Sequence, residues 1–167
     1  MTDPIATLFV ENVQPRRARG WHGGPTPLGA VRGVRPEQAA WVPFPGRKSI
    51  WQLTLHIAYW KYAVRRRLEG GDAPRFPRSP ADWPRLPEVV SAGAWKADVA
   101  LLRREHEQLL SAIAAVPSKR YGVRLGKNWT VGELILGIAL HDAYHAGQIQ
   151  MLKRLWDAAG QRGSTGS

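Results

Sequence analysis

Two histidines, His141 and His145, stand four residues apart in the segment Ala139–Ile149. In a helix that spacing puts both imidazoles on one face, one turn apart, where they can share a metal ion. The apolar seam that carries them runs Val131, Leu134, Ile138, His141, His145, Gln148, Leu152, Leu155, in steps of three and four. The histidines thus occupy positions where a bundle helix normally places leucine. A polar ring in a core seam needs a partner, which either a metal or an ordinary hydrogen bond can supply.

A third histidine, His56, lies beside another apolar stripe, Ile50, Leu53, Ile57, Trp60, Val64 and Leu68, at the margin of the core. Two imidazoles from one helix and one from a facing helix can form a facial set of three ligands. Three protein ligands leave positions for water or substrate, the arrangement of a catalytic site. Neutral imidazoles suit Zn, Ni, Fe or Mn(II). Such an ion lowers the pKa of bound water, or polarises and orients a substrate carbonyl or thiolate. On the residues alone, a packed core histidine remains the alternative at each position.

Other polar residues read differently. His106 also occupies a seam position and is expected to be packed or hydrogen-bonded, and His22, in Trp21-His22-Gly23-Gly24-Pro25, is expected to be exposed on a loop. Asp142 and Tyr144 adjoin the ligand face without sharing it; Asp142 either faces solvent or orients a ligand. Glu133 fits a capping box with Thr130 better than it fits catalysis. Gln148 continues the ligand seam one turn on, where it can hydrogen-bond a ligand or another helix. No nucleophile elbow, phosphate-binding glycine loop or dinucleotide fingerprint is present.

Helices must position these groups. The capping box Thr130/Glu133 opens a helix whose seam reaches about Trp156, with Gly160 as a stop and 160–167 as a flexible tail. A second box, Ser49/Gln52, opens a helix that ends at Gly70-Gly71. A third helix is predicted from about Ser91 to Val116, with the seam Trp95, Val99, Leu102, His106, Leu109, Ile113, Val116. A shorter one spans Pro4 to Val13. Between the first two lies a Gly/Pro/Trp-rich stretch, Arg19 to Gly46, with a short helical piece near Pro27 to Val34 and a turn at Pro36–Ala39. A link with five prolines, Asp72 to Pro87, joins the next pair, and Gly122 to Lys127 reads as a brief extended turn. Four helices with two long connections read as an all-α four-helix bundle, one domain over residues 1–159.

Composition narrows the chemistry. The chain has 167 residues and no cysteine, so any metal must be held by His, Asp or Glu. The first residues lack the basic and apolar regions of a signal peptide, and no apolar run approaches the roughly 20 residues of a membrane span. A soluble, cytoplasmic protein is expected. The net charge of +11 invites a nucleic-acid or anionic-surface reading. Yet the clusters Arg16-Arg17-Ala18-Arg19, Arg65-Arg66-Arg67 and Arg103-Arg104 are scattered, and no recognition motif accompanies them. Solvated helix faces are the favoured reading.

The segments Pro45–Trp60, which contains His56, and His141-Asp142-Ala143-Tyr144-His145-Ala146-Gly147-Gln148-Ile149 resemble the second- and fourth-helix signatures of the DinB/YfiT-like superfamily of metal-dependent proteins. The resemblance covers most of the chain from about Gln38 onward. It implies an up-down-down-up bundle with a metal between the second and fourth helices, and it carries ligand roles onto His56, His141 and His145. Zn or Ni is the expected ion, with Fe or Mn as alternatives. Relatives include thiol-dependent transferases and isomerases, while others are labelled hydrolases. The leading expectation is therefore activation of a low-molecular-weight thiol, such as bacillithiol or mycothiol, for attack on a small electrophile. A metal-dependent hydrolase ranks lower, because no Glu or Asp base shares the histidine face. A non-catalytic metal- or nucleic-acid-binding stress-response protein is the third reading. Trp21, Trp41, Trp51 and Trp83 can serve either the core or a homodimer interface.

Overall fold

The computed structural model describes residues 4–14, 23–71 and 74–164, the last four of these by backbone alone. The fold is mostly helical. In chain order the helices are α1 (Pro4–Val13), α2 (Pro27–Ala30), α3 (Pro36–Ala40), α4 (Ile50–Glu69), α5 (Ala92–Ala114) and α6 (Val131–Ser164). A two-stranded antiparallel hairpin, β1 (Arg124–Leu125) and β2 (Trp129–Thr130), leads into α6, with Arg124 opposite Thr130.

Local sequence sets most of these boundaries. At α4 the Ser49 hydroxyl accepts from Gln52 N at 3.1 Å, while the Gln52 side chain accepts from Ser49 N at 3.0 Å. Gly70 closes the helix in the left-handed region, φ 68°, which glycine enters without a Cβ penalty. Ser91 caps α5. At α6 the Glu133 carboxylate accepts from Thr130 N at 2.7 Å, and Thr130 Oγ1 accepts from Glu133 N at 3.2 Å. The Pro27 and Pro36 segments each form a short helix with proline at the first turn.

The expected stop at Gly160 does not occur: α6 continues to Ser164. A glycine inside a helix costs only about 1 kcal/mol against alanine. It ends one when it turns left-handed, and Gly160, unlike Gly70, does not.

Helix α4 packs against both α5 and α6, and α1 packs against α5 and α6. The buried apolar residues divide into two clusters. One joins α2 and α3 to Ile50–Ala58 of α4, Trp95–Leu102 of α5 and Ala146–Leu152 of α6. The other joins Val13, Val64 and Leu68 to Leu109–Val116 and to Val131–Ala139. Between them runs a belt of polar side chains from three helices: His56, Lys61 and Arg65 on α4, Glu105 and His106 on α5, and Asp142 and His145 on α6, all buried.

The buried face of α6 is rotated from the seam read in the sequence. Its centre follows Val131, Ile135, Ile138, Asp142, Ala146 and Ile149, while Leu134, His141, Gln148 and Leu155 are half-buried on its flank. Asp142 therefore does not face solvent; it lies in the core opposite Lys61. Periodicity treats a carboxylate as a surface residue, and only the α4 ammonium makes its burial tolerable. Among the described residues, no helix is long and apolar enough to cross a membrane.

Candidate metal centre

His56 enters the belt from the middle of α4, where the helix is buried on nearly every side. Its Nδ1 lies 2.8 Å from the backbone oxygen of Asp82 and 3.1 Å from that residue's Oδ1. Both atoms can only accept, so Nδ1 carries the proton and Nε2 keeps its lone pair. Trp83 stacks on the imidazole, centroids 3.8 Å apart and planes within 10°. Asp82 is held there by Trp60, whose Nε1 donates to Oδ1 at 2.7 Å, and it takes φ 67°, which aspartate tolerates better than most residues.

His145, one turn beyond His141 on α6, is fixed in the same way. Its Nδ1 donates to Gln148 Oε1 at 2.6 Å, again leaving Nε2 free. The expectation that Gln148 can bond a ligand candidate is met in geometry. His141 brings its Nε2 to 3.1 Å from the Nε2 of His56, and its own Nδ1 is buried without a partner. One ligand atom from each of His56, His141 and His145 lies within 4.8 Å of the others, a cluster that could hold a metal ion.

The donor set fits such an ion. Nitrogens bound to one ion at about 2.1 Å stand no more than about 4.2 Å apart. The cluster's limit of 4.8 Å comes within that reach after a small ring movement, and the His56–His141 pair, at 3.1 Å, is already inside it. Two bare lone pairs facing each other at that distance repel unless a proton or cation lies between them. The rings are also held in the ligating form. Burial lowers the pKa of His56 against the raising effect of the Asp82 backbone hydrogen bond, and the neighbouring His145 adds a smaller lowering. Burial lowers His145 as well, while Gln148 opposes the shift. For His141 burial, reinforced by His145, His56 and Lys61, lowers the pKa to about 3.

The other candidates take other places. His106 is buried and lies outside the cluster; its Nδ1 has no partner, and burial followed by the charges of Lys61 and Arg103 lowers its pKa to about 3. It is a packed histidine. His22 and Trp21 lie outside the described residues. Glu133 is committed to the α6 cap. Tyr144 is exposed and touches the edge of His145. Asp142 forms a buried ion pair with Lys61, and burial still raises its carboxyl pKa despite that partner. Trp51 is a core residue whose Nε1 donates to Asp98 at 2.8 Å, and Trp41 meets Trp156 edge to face.

A cavity of about 500 Å³ opens onto His145 and Gln148. A smaller one, about 280 Å³, opens onto His141 from the side of Trp60 and Glu133. The histidine cluster thus has a mouth at each of its α6 residues.

A family model described as the DinB superfamily matches residues 27–149. The chain belongs to the DinB superfamily. The match begins at the first residue of α2, earlier than the resemblance at Gln38 suggested, and contains all three clustered histidines. No curated protein and no solved structure matches the chain. Two residues of this superfamily member lie against His56 without being expected there: Asp82, and Trp83, for which the sequence offers the core or an interface. They sit in the proline-rich link, where no periodicity marks them; an Asp-Trp pair flanked by Pro80 and Pro84 is the one local sign of a fixed turn.

Proposed function

We propose that the chain is a metal-dependent enzyme whose ion is held by His56, His141 and His145, and that it activates a low-molecular-weight thiol toward a small electrophile. Its architecture in this reading is one domain, residues 1–159. Helices α1, α4, α5 and α6 form an up-down-down-up four-helix bundle. The sharing of each apolar cluster by the start of α4, the start of α5 and the second half of α6, or by their opposite ends, supports the down-down-up part of that order.

One observation carries the proposal. The Nδ1 atoms of His56 and His145 donate to fixed acceptors, so their Nε2 atoms present lone pairs beside the Nε2 of His141. Such second contacts fix the tautomer and raise ligand basicity. Zinc or nickel, with iron or manganese as alternatives, would supply stabilisation of a thiolate at neutral pH. The chain's own residues do the rest. Asp82 and Gln148 orient two rings, Trp83 shields His56 from water, and the 500 Å³ cavity holds the reactants beside His145.

The hydrolase alternative requires a carboxylate base. Asp82 is engaged by His56 and Trp60, Asp142 by Lys61, and Glu133 by the helix cap. Among the described residues no carboxylate lines the larger cavity. Nucleic-acid binding ranks lower still: in the cluster Arg65-Arg66-Arg67, Arg65 is buried and paired with Glu69 and Glu105. The partner in this reading is a small molecule in the cytoplasm, with homodimerisation secondary.

The test is metal content, measured on protein purified without added metal, beside His145→Ala. Stoichiometric metal in the parent and its loss in the variant are expected. Unchanged content sinks the site. Thiol consumption with a panel of electrophiles then separates the transferase reading, which requires turnover, from the hydrolase and the non-catalytic one.

A further inference from the structure

The two cavities that meet at the histidine cluster differ in charge. The larger is walled by apolar side chains, among them Phe44, Leu53, Trp83 and Leu155, and its polar rim carries two cations, Arg47 and Lys48. The smaller carries an acid, Glu133, between Trp60 and Trp129, and no cation. A carboxylate on one side and two cations on the other sort ligands by charge before any chemistry occurs.

Arg47 and Lys48 are spare charges. The belt cations Lys61 and Arg65, and Arg78 on the link, are each paired with a carboxylate. Among the described residues neither Arg47 nor Lys48 forms an ion pair. They are also tied to the site. The Lys48 ammonium sits 4.5 Å from the centroid of Trp83, and Trp83 lies on His56 at 3.8 Å. A charge held on that ring is one aromatic thickness from the cluster.

We propose that the larger cavity binds a small organic anion with an apolar body, its acidic end met by Arg47 and Lys48 and its other end directed at His145. Pockets of this size bury most of a small ligand through apolar walls and fix its orientation with a few polar groups. Here the walls supply the first and the two cations the second. Arginine receives a carboxylate through two parallel N–H bonds, and lysine adds a point charge. Neither residue touches the imidazoles, so both are specificity residues rather than catalytic ones. The inference rests on the reading of the histidines as the reactive centre.

Octanoate, 1-octanol and octylamine share one apolar body and differ in charge. Their binding is measured by calorimetry on the full chain, metal-free and zinc-loaded. Octanoate is expected to bind in both forms, to weaken with added salt, and to exceed octanol; octylamine is expected to bind least. Exposed charge pairs contribute modestly, so the double variant Arg47→Gln/Lys48→Gln should weaken octanoate roughly three- to tenfold and leave octanol unchanged. Leu155→Trp, which narrows the cavity and keeps both charges, should weaken both ligands alike. Glu133→Gln, in the other cavity, should change neither. Equal affinities for the three ligands, no octanoate binding, or octanoate binding that survives the double variant would each overturn the proposal. Binding that needs zinc and ignores the two cations would do so too, since the carboxylate would then be seated on the metal. Zinc content of the double variant should match the parent, so a failure here is separable from a failure of the histidine site.

Discussion

Replacing Lys61 with methionine isolates the belt's central interaction. Lys61 is fully buried on α4 and pairs with Asp142, itself 4% exposed, on α6. Removing the ammonium leaves a carboxylate in the core with its second oxygen already lacking a partner. Breaking a buried pair from one side costs about 3–5 kcal/mol, because the remaining charge is uncompensated. At about 2–4 °C per kcal/mol for a domain of this size, Lys61→Met should lower Tm by roughly 10 °C. The deficit should depend on pH. Burial raises the Asp142 carboxyl above its usual range even with Lys61 present, and without Lys61 it rises further. A native carboxyl with a raised pKa holds a proton that the unfolded chain has released. Its stability is therefore greatest at acid pH and falls as pH rises through the folded value. Lys61→Met should consequently recover toward the parent between pH 7 and pH 5. The double variant Lys61→Met/Asp142→Leu should restore most of the loss at pH 7, because an apolar pair of similar volume needs no compensation. Urea unfolding of the four proteins in a double-mutant cycle measures this. A loss below about 1 kcal/mol in Lys61→Met, or a double variant less stable than either single one, would refute the reasoning.

Two further outcomes follow from the same contacts. Gln148→Ala removes the acceptor on His145 Nδ1 and should weaken metal binding about 10- to 100-fold without unfolding the protein, measured by competition with a chelator; equal affinity would show that the contact does not orient the ring. His106 has a folded pKa of about 3 against about 6.5 unfolded, so the unfolded chain binds the extra proton and native stability falls as pH drops from 6.5 toward 3. Each pH unit in that window removes up to about 1.4 kcal/mol, so His106→Leu should gain on the parent by about 2–3 kcal/mol between pH 7 and pH 4.5 in urea titrations; parallel pH profiles would contradict it.

What the sequence made legible was local. Ser49/Gln52 and Thr130/Glu133 announce helix starts through residues three apart, and both boxes form. His141 and His145 share a helix turn, so their proximity follows from spacing alone. His56 needed a partner helix, and the family signature carried it. The remainder depended on contacts across the chain. Asp82 reaches His56 over 26 positions and Lys61 reaches Asp142 over 81, and neither interval leaves a periodic trace. The α6 seam was misplaced by one residue for a related reason. Scoring His141 and Gln148 as core positions pulled the inferred face toward the cavities, whereas an aspartate and Ala146 line the true interior.

That rotation leaves His141 and His145 facing the two cavities. A ring at the centre of the buried face would be enclosed, as the buried His106 of α5 is, which lines neither cavity. On the flank of α6, His141 and His145 are dry enough to stay neutral yet open onto a cavity each. The charged pair Lys61/Asp142 takes the central place instead. Coulombic attraction across the α4–α6 contact offsets part of the desolvation there, and an apolar cluster packs the helices on either side of it. An apolar pair of similar volume in its place is often neutral or stabilising, so the burial of Lys61 and Asp142 is not by itself a source of stability.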